Sequence, residues 1–191
     1  MTASALQPAA DIDAAVLEKA KRGDQEAFAS VIKHYDPGLR ALAYRLLGDV
    51  DRMDDALQEA YVRAFRSLST FRGESRLGTW LYRIVYNACL DELGRARRVV
   101  QLPLEDATDP PDARADFAEA VADRSGLAEA LAALTPEERA AVFLVDAQGF
   151  DYRSAGKVLG VPEGTVASRL NRARAGLRRA LGEQGARRVG G

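Results

Sequence analysis

The chain has 191 residues, a formal net charge of −1, 47% apolar residues and 29% charged residues, as in ordinary globular proteins. With 1 Cys and 1 His, it can form neither an internal disulfide nor a metal site built from Cys and His clusters. No apolar run is long enough to span a membrane, and the N-terminus lacks the basic start and apolar core of a signal peptide. We therefore expect a cytoplasmic protein without a metal or other cofactor and without membrane insertion.

The first half of the chain has the apolar periodicity of helices, without the alternation typical of strands. One helix is predicted from Asp13 to about Arg22, and a second is predicted to begin after an N-cap at Asp24. Pro37 suits the first turn of a further helix that ends at Gly48. Asp51 is predicted to open the next helix, whose apolar stripe is Met53, Leu57, Tyr61, Ala64, Phe65 and Leu68. After a loop over 69–78, Thr79 is the predicted cap of a helix that buries Leu81 and Ile84.

Residues 99–115 divide the chain, because they contain three prolines and many acids and are typical of a flexible linker. The acids in and just after this stretch are Glu105, Asp106, Asp109, Asp112, Asp116 and Glu119. The prediction is an all-α protein of two small helical domains, 11–98 and 116–182. In the second domain, Thr135-Pro136-Glu137-Glu138 predicts a sharp helix start with a capping box.

Residues 151–170 have the spacing of a helix-turn-helix. Asp151 caps a short helix, the turn falls at Gly160 and Val161, and a helix from Pro162 to Leu181 follows. The N-terminal end of such a second helix can enter the DNA major groove, where polar side chains read bases and arginines contact phosphates. The outward residues are Glu163, Thr165, Ala167, Ser168, Asn171 and Arg172. The arginines able to reach phosphates are Arg169, Arg172 and Arg174. The alternative is a helical hairpin with a solvated arginine face.

The predicted helix 51–68 has a polar face opposite its apolar stripe, formed by Asp54, Asp55, Gln58, Glu59, Val62, Arg63 and Arg66. This face could bind a protein, or it could be a solvated face whose charges complement the helix dipole. A di-metal carboxylate bundle fails, because its Glu-x-x-His ligands cannot be supplied by His34 alone.

Aromatic, arginine and amide residues surround the loop that follows. Trp80, Tyr82, Arg83 and Asn87 suit single-stranded nucleic acid, since unstacked bases stack on aromatic rings and an amide can read a base edge. The alternative is packing in the core, which is favoured for Trp80 and about equally plausible for Tyr82, Arg83 and Asn87. Trp80 and Tyr82 cannot both face the same core as Leu81.

Three stretches together resemble the extracytoplasmic-function (ECF) sigma factors of bacterial RNA polymerase: DDALQEAYVRAF, FRGESRLGTWLYRIVYNACLDEL and GVPEGTVASRLNRAR. The resemblance runs from about residue 20 to 181, in the order of the family, and is more specific than a helix-turn-helix alone. It implies a sigma factor that binds core RNA polymerase, directs promoter-specific initiation and has no catalytic role of its own. It also implies an anti-sigma factor as a partner.

The resemblance implies a role for each part of the chain. Domain 11–98 would be region two, docking on the β′ clamp coiled coil through Asp54, Asp55, Gln58, Glu59 and Arg63. Its loop and next helix would recognise and melt the minus-ten element through Phe71, Arg72, Trp80, Tyr82, Arg83 and Asn87. Backbone phosphates would bind Arg95, Arg97 and Arg98. Domain 116–182 would be region four, meeting the β flap and reading the minus-35 element through Glu163, Gly164, Thr165, Ala167, Ser168, Arg169, Asn171, Arg172 and Arg174. The acidic linker would thread the channel that nascent RNA later occupies.

The sequence departs from the family pattern at the helix-turn-helix, where Ala155 and Gly156 predict a weaker first helix. Ala167 and Asn171 stand where larger basic or aromatic residues often occur, which affects the promoter sequence that is read. A regulator that binds only duplex DNA is the runner-up, but it has no use for the aromatic loop at 71–87. An all-α enzyme is disfavoured because there is no nucleophile pair with His or Cys and no Gly-rich phosphate loop.

Overall fold

The fold is described from a computed structural model, which covers residues 12–100 and 130–189, with side chains over 12–96 and 130–181. Within these ranges all regular structure is helical and no strand occurs, which confirms the all-α prediction. The predicted linker and the start of the second domain lie mostly outside the described residues, as do the side chains of Arg97 and Arg98.

The first domain packs four helices: α1 (Ala14–Lys21), α2 (Gln25–Leu47), α3 (Val50–Ser67) and α4 (Leu77–Val100). Aspartates begin the first three helices: Asp13, Asp24 and Asp49 accept hydrogen bonds from backbone N–H groups in the first turn. A 3₁₀ turn over Leu68–Thr70 ends α3, and an exposed loop leads to α4. The loop and α4 therefore stand beside the polar face of α3.

Three predicted helix boundaries in the first domain are wrong, and the last helix of the chain, predicted to end at Leu181, continues to Val189. α2 runs unbroken through Pro37, because Tyr35 before it and Leu39 after it are both buried on one continuous apolar stripe. That packing outweighs the one backbone hydrogen bond that a proline removes. α3 begins after Asp49, two residues before the predicted Asp51, since Asp49 accepts from the N–H of Arg52 at 2.8 Å. α4 begins at Leu77, before the predicted cap at Thr79, whose side chain is buried.

The second domain contains α5 (Pro136–Val142), a π-helical turn (Phe143–Ala147), α6 (Tyr152–Leu159) and α7 (Glu163–Val189). The predicted capping box is confirmed: Thr135 accepts from the N–H of Glu138, whose carboxylate accepts from the N–H of Thr135. The predicted cap of α6 is confirmed as well, since Asp151 accepts from the N–H of Ser154 at 2.6 Å. Gly160 ends α6 in the left-handed conformation at φ 67°, which glycine adopts without steric cost.

The two domains share one continuous apolar core. α4 packs against α6, and α2 packs against α5. α4 continues to Val100, two residues past the predicted domain boundary. The second domain consequently lies against the helix that was predicted to meet DNA.

Candidate nucleic-acid and partner-binding interfaces

The polar face of α3 is fixed by a buried stripe of Met53, Ala56, Leu57, Ala60 and Ala64. Asp55 and Gln58 are exposed on the opposite side, as the sequence predicts. Asp54 instead turns toward α2, where its carboxylate accepts from Nη1 of Arg40 at 2.7 Å. Of the predicted docking residues, Asp55, Gln58 and Arg63 are therefore exposed, and Asp54 and Glu59 are half-buried.

Glu59 lies at the centre of an ion-pair network that joins α3 to α4. Its carboxylate accepts from Nη2 of Arg63 at 2.5 Å and from Nη2 of Arg95 at 2.9 Å. The two arginines also reach acids on α4: Arg63 pairs with Asp91, and Arg95 with Glu92. Hydrogen bonds from Arg95 and then Arg63 hold the pKa of Glu59 below its ordinary value, so this carboxylate stays ionised. The network connects two predicted docking residues with Arg95, a predicted phosphate ligand.

An apolar patch extends this face, and the sequence predicted only one of its two members, Val62, to face outward. Val62 is 44% exposed, and Phe65, predicted in the buried stripe, is 37% exposed. The ring of Phe65 contacts that of Phe28 on α2, with centroids 5.1 Å apart, next to an open groove of about 620 Å³ lined by residues that include Phe28, Ile32 and Tyr61. Phe65 follows the buried Ala64 by one position, or 100° of helix rotation, so it falls at the edge of the stripe. The signal available in the sequence was the spacing of Gln58, Val62 and Phe65, which places the two apolar residues on the same side of the helix as the polar Gln58.

The loop before α4 presents Arg72 to solvent and folds Phe71 against Trp80, with ring centroids 5.3 Å apart. Trp80 is half-buried against the core, in agreement with the reading favoured from its sequence context. Arg83 and Asn87 are exposed one turn apart on α4, so the guanidinium and the amide share one helix face.

The expectation that Trp80 and Tyr82 cannot both face the same core as Leu81 is wrong, because Tyr82 belongs to that core and Trp80 packs against it. Leu81 and Tyr82 are both buried, and Tyr82 is only 5% exposed because the second domain covers it. Its hydroxyl donates to Oε1 of Gln148 at 3.0 Å, and its ring meets that of Phe150 edge-on at 5.1 Å. Burial raises the pKa of this hydroxyl, which therefore remains a donor.

The helix-turn-helix has a very close turn. A Cβ at Gly156 would lie 2.6 Å from the carbonyl oxygen of Val161, so the glycine is required for α6 to meet the turn. In α7, Val166 and Leu170 are buried and orient the helix. The exposed residues of its outer face are Glu163, Gly164, Ser168, Asn171 and Arg172, and Thr165 and Ala167 are half-buried.

The arginines of α7 differ in their surroundings. Arg172 is exposed and pairs with Glu138 at 3.3 Å. Arg174 binds both carboxylate oxygens of Asp146, at 3.2 and 2.5 Å. Arg169 is half-buried, and its Nη1 is buried without a hydrogen-bond partner among the described residues. Of the three, Arg172 is the most accessible candidate for a phosphate contact.

Over the described residues, no group of His, Cys, Asp and Glu side chains could hold a metal ion. In the same residues, no helix is long and apolar enough to cross a membrane.

The sequence matches two family descriptions: Sigma-70 region 2 over residues 31–99, and Sigma-70, region 4 over residues 124–177. It is 41% identical over 170 residues to the ECF RNA polymerase sigma factor SigM of Mycobacterium tuberculosis (strain ATCC 25618 / H37Rv), covering 89% of this chain and 85% of the relative. It is 32% identical to the ECF RNA polymerase sigma-E factor of Escherichia coli (strain K12), over 85% of this chain and 90% of the relative.

A solved structure is similar as well: the sigma factor RpoE from Bartonella quintana, crystallised in complex with the anti-sigma factor NepR. The TM-score is 0.65 at 28% identity, and the match covers 81% of this chain and 96% of the solved one. The family matches fall on the two domains in the expected order, and the relatives match over most of their own length. The chain therefore belongs to the ECF sigma factors of the sigma-70 family, the RNA polymerase subunits that direct promoter-specific transcription initiation.

Proposed function

We propose that the chain divides the work of a sigma factor among three surfaces. The outer face of α3 docks on the β′ clamp of core polymerase, the loop with α4 opens the minus-ten element, and α7 reads the minus-35 element. The observation that carries this proposal is the exposure of Gln58, Asn87 and Asn171 on three separate faces, each held outward by a buried stripe on the same helix. The chain has no catalytic role of its own.

The docking surface combines charge with apolar area. Asp55 and Gln58 offer exposed polar groups, and Val62 and Phe65 extend the same side of α3 with apolar surface. An exposed apolar residue beside polar ones is a common feature of protein interfaces, whose centre is apolar and whose rim is polar. Asp54 lies beside this surface and forms an ion pair with Arg40 of α2.

The melting surface consists of Phe71, Arg72, Trp80, Arg83 and Asn87, with Tyr82 behind them in the present arrangement. Aromatic rings stabilise an unstacked base by about 1–3 kcal/mol, which helps to offset the cost of opening a base pair. Arg95, Arg97 and Arg98 follow on α4 and would neutralise backbone phosphates.

The minus-35 surface consists of the exposed residues at the start of α7. Glu163, Ser168 and Asn171 can exchange hydrogen bonds with base edges in the major groove, and Arg172 is placed for a phosphate. Gly164, Thr165, Ala167, Arg169 and Arg174 complete the predicted set. The opposite side of this domain would contact the β flap.

Control by a partner protein belongs to the same proposal. The Bartonella quintana relative was crystallised with its anti-sigma factor, which supports an anti-sigma factor for this chain too. We place the protein in the cytoplasm, where the polymerase works. The acidic stretch 99–115 would occupy the RNA channel of the polymerase as a mimic of the negatively charged transcript.

The docking assignment is tested by the double substitution Gln58→Ala and Glu59→Ala. We expect the affinity for purified core polymerase to fall at least about tenfold, because interface truncations at central polar contacts often cost more than about 1.4 kcal/mol. Fluorescence titration of labelled protein with core polymerase measures the dissociation constant.

The matched control is Asp91→Ala. It breaks an ion pair of the same network, Arg63 with Asp91 at 2.9 Å, but lies on α4 outside the proposed docking face. The control should bind like the parent. Parent-like binding by the double variant would refute the docking assignment.

A further inference from the structure

Glu138 lies at the start of α5, beside the helix that is proposed to read the minus-35 element. One of its carboxylate oxygens, Oε2, accepts from the backbone N–H of Thr135 at 3.2 Å. The other, Oε1, lies 3.3 Å from Nε of Arg172 on α7. A single carboxylate therefore completes the capping box of α5 and forms an ion pair with an arginine of the DNA-facing helix.

The capping box fixes the position of this carboxylate. The hydroxyl of Thr135 accepts in return from the N–H of Glu138 at 3.2 Å, so two reciprocal hydrogen bonds hold the acid against the first turn of α5. The side chain of Glu138 is only 16% exposed, whereas that of Arg172 is 67% exposed. The ion pair thus joins a well-held acid to a long and exposed cation.

The two helices that carry this pair are themselves packed together. α5 lies against α7, and Ala140 of α5 is buried. In α7, Leu170 and Ala173 are buried two residues before and one residue after Arg172. The separation of the two backbones at the ion pair is consequently set by the core of the second domain.

The ion pair leaves most donors of the Arg172 guanidinium available. A guanidinium has five N–H donors, one on Nε and four on the two Nη atoms. Within the described parts of the chain, Glu138 is the one acid that pairs with Arg172, and it contacts Nε. The two Nη atoms therefore keep the fork of donors that binds two phosphate oxygens at once.

We propose that Glu138 is a positioning residue for the minus-35 contact: it holds Arg172 by Nε so that the two Nη atoms meet a DNA phosphate. This inference rests on the proposed function of α7. A free arginine loses rotamer freedom when it binds, and an arginine that is already held loses less. Glu138 accordingly strengthens DNA binding, although the charge of a carboxylate by itself repels phosphates.

The test is Glu138→Gln in the holoenzyme formed with purified core RNA polymerase. Glutamine has one acceptor oxygen, so it can serve the N–H of Thr135 or Nε of Arg172 but not both. The probe is a fluorescein-labelled duplex that the parent holoenzyme selects from random-sequence DNA. Fluorescence anisotropy at one fixed salt concentration gives the dissociation constant. We expect Glu138→Gln to weaken binding about threefold, the size of effect that a partly exposed ion pair supports.

Two control variants separate the ion pair from the charge and from the cap. Glu137→Gln removes the same charge one residue earlier, from a side chain that forms no ion pair with any described residue, and should bind at least as tightly as the parent. Thr135→Ala removes the hydroxyl of the capping box but keeps Glu138 and the backbone N–H that holds its carboxylate. This variant should bind DNA like the parent.

The effect of Glu138→Gln should change sign when Arg172→Ala is also present. Without the arginine, the carboxylate only repels phosphates, so its removal should leave DNA binding equal to or tighter than that of Arg172→Ala alone. A role of Glu138 in the stability of the second domain would instead give the same loss in both backgrounds. The reversal therefore distinguishes positioning from stability.

Three results would overturn the proposal: binding by Glu138→Gln as tight as that of the parent, an equal loss in the Arg172→Ala background, or an equal loss in Thr135→Ala. None of them touches the proposed function, because the parent holoenzyme selects its DNA in every case. If the parent holoenzyme selects no sequence, the proposed function fails and the positioning role fails with it.

Discussion

Single residues on α3 and α4 divide into those held by ion pairs and those that face solvent. Glu59 is held between Arg63 and Arg95, and Asp54 is held by Arg40. Gln58 and Asn87 are exposed and uncharged. Exposed ion pairs contribute only about 0–1 kcal/mol each, so a binding partner can exchange them at little cost. We infer that the charged residues set the position of the surface and the amides supply its specificity.

A substitution of Asn87 tests this inference at the melting surface. We expect Asn87→Ala to reduce promoter opening and to lose about 1–3 kcal/mol of base discrimination, because its exposed amide is the group proposed to read a base edge. Core polymerase binding should not change. Permanganate footprinting of the minus-ten region measures opening, and a footprint identical to that of the parent would remove Asn87 from the melting surface.

The sequence predicts some of the outward positions but not which residues pair. Gln58 follows from helical periodicity, since it lies opposite a buried stripe, whereas for Asn87 the sequence left core packing and exposure about equally plausible. The pairing of Glu59 with Arg95 spans 36 positions, and that of Asp54 with Arg40 spans 14. Both depend on how the helices pack, and Tyr82 is buried for the same reason. The local pattern of apolar and polar residues in the sequence does not indicate such long-range contacts.

Helices in this protein begin and end largely where side-chain chemistry requires. Asp13, Asp24, Asp49, Thr135 and Asp151 each accept a hydrogen bond from a first-turn N–H group. The exception is Pro37, where buried neighbours keep α2 helical in spite of a residue that usually ends helices. Capping is local, and three of these caps were predicted from the sequence: Asp24, Thr135 and Asp151. Continuity through Pro37 depends on tertiary packing and was not predicted.

Asp151 caps the first helix of the helix-turn-helix, and measuring the free energy of unfolding of Asp151 variants tests this role. We expect Asp151→Ala to lower the free energy of unfolding of the second domain by about 1 kcal/mol at neutral pH, because an N–H of α6 loses its acceptor. Asp151→Asn, which keeps an acceptor oxygen, should cost less. Urea unfolding followed by circular dichroism measures the difference.

The charge on Asp151 adds a pH dependence of defined sign. The N–H of Ser154 lowers the pKa of this carboxyl, so the folded state favours the ionised form. The ionised Asp151 carboxylate contributes its full stabilisation of the folded state above the ordinary pKa of Asp, about 4. This stabilisation is lost as the pH falls through the lowered pKa. The difference in stability between the parent and Asp151→Asn should therefore shrink in acid. A difference that grows below about pH 4 would contradict the assignment.

At the scale of the whole molecule, the two domains form one continuous core rather than two separate ones. The order of the domains follows from the sequence motifs and is consistent with the family matches to regions 2 and 4. Their contact could not be predicted, because it depends on Gly38, Tyr82 and Gln148 meeting from three distant parts of the chain. The second domain covers Tyr82 on the side of α4 that is proposed to meet DNA.

Run-off transcription with purified bacterial core RNA polymerase, freed of other sigma factors, tests the central claim most directly. A library of DNA fragments from the source genome supplies the templates, and the transcript ends identify start sites. We predict that adding this chain produces transcripts from discrete start sites that share minus-10 and minus-35 elements, and that Gln58→Ala with Glu59→Ala suppresses them. If the chain binds core polymerase but yields no discrete start sites, the account of it as a promoter-directing subunit is contradicted.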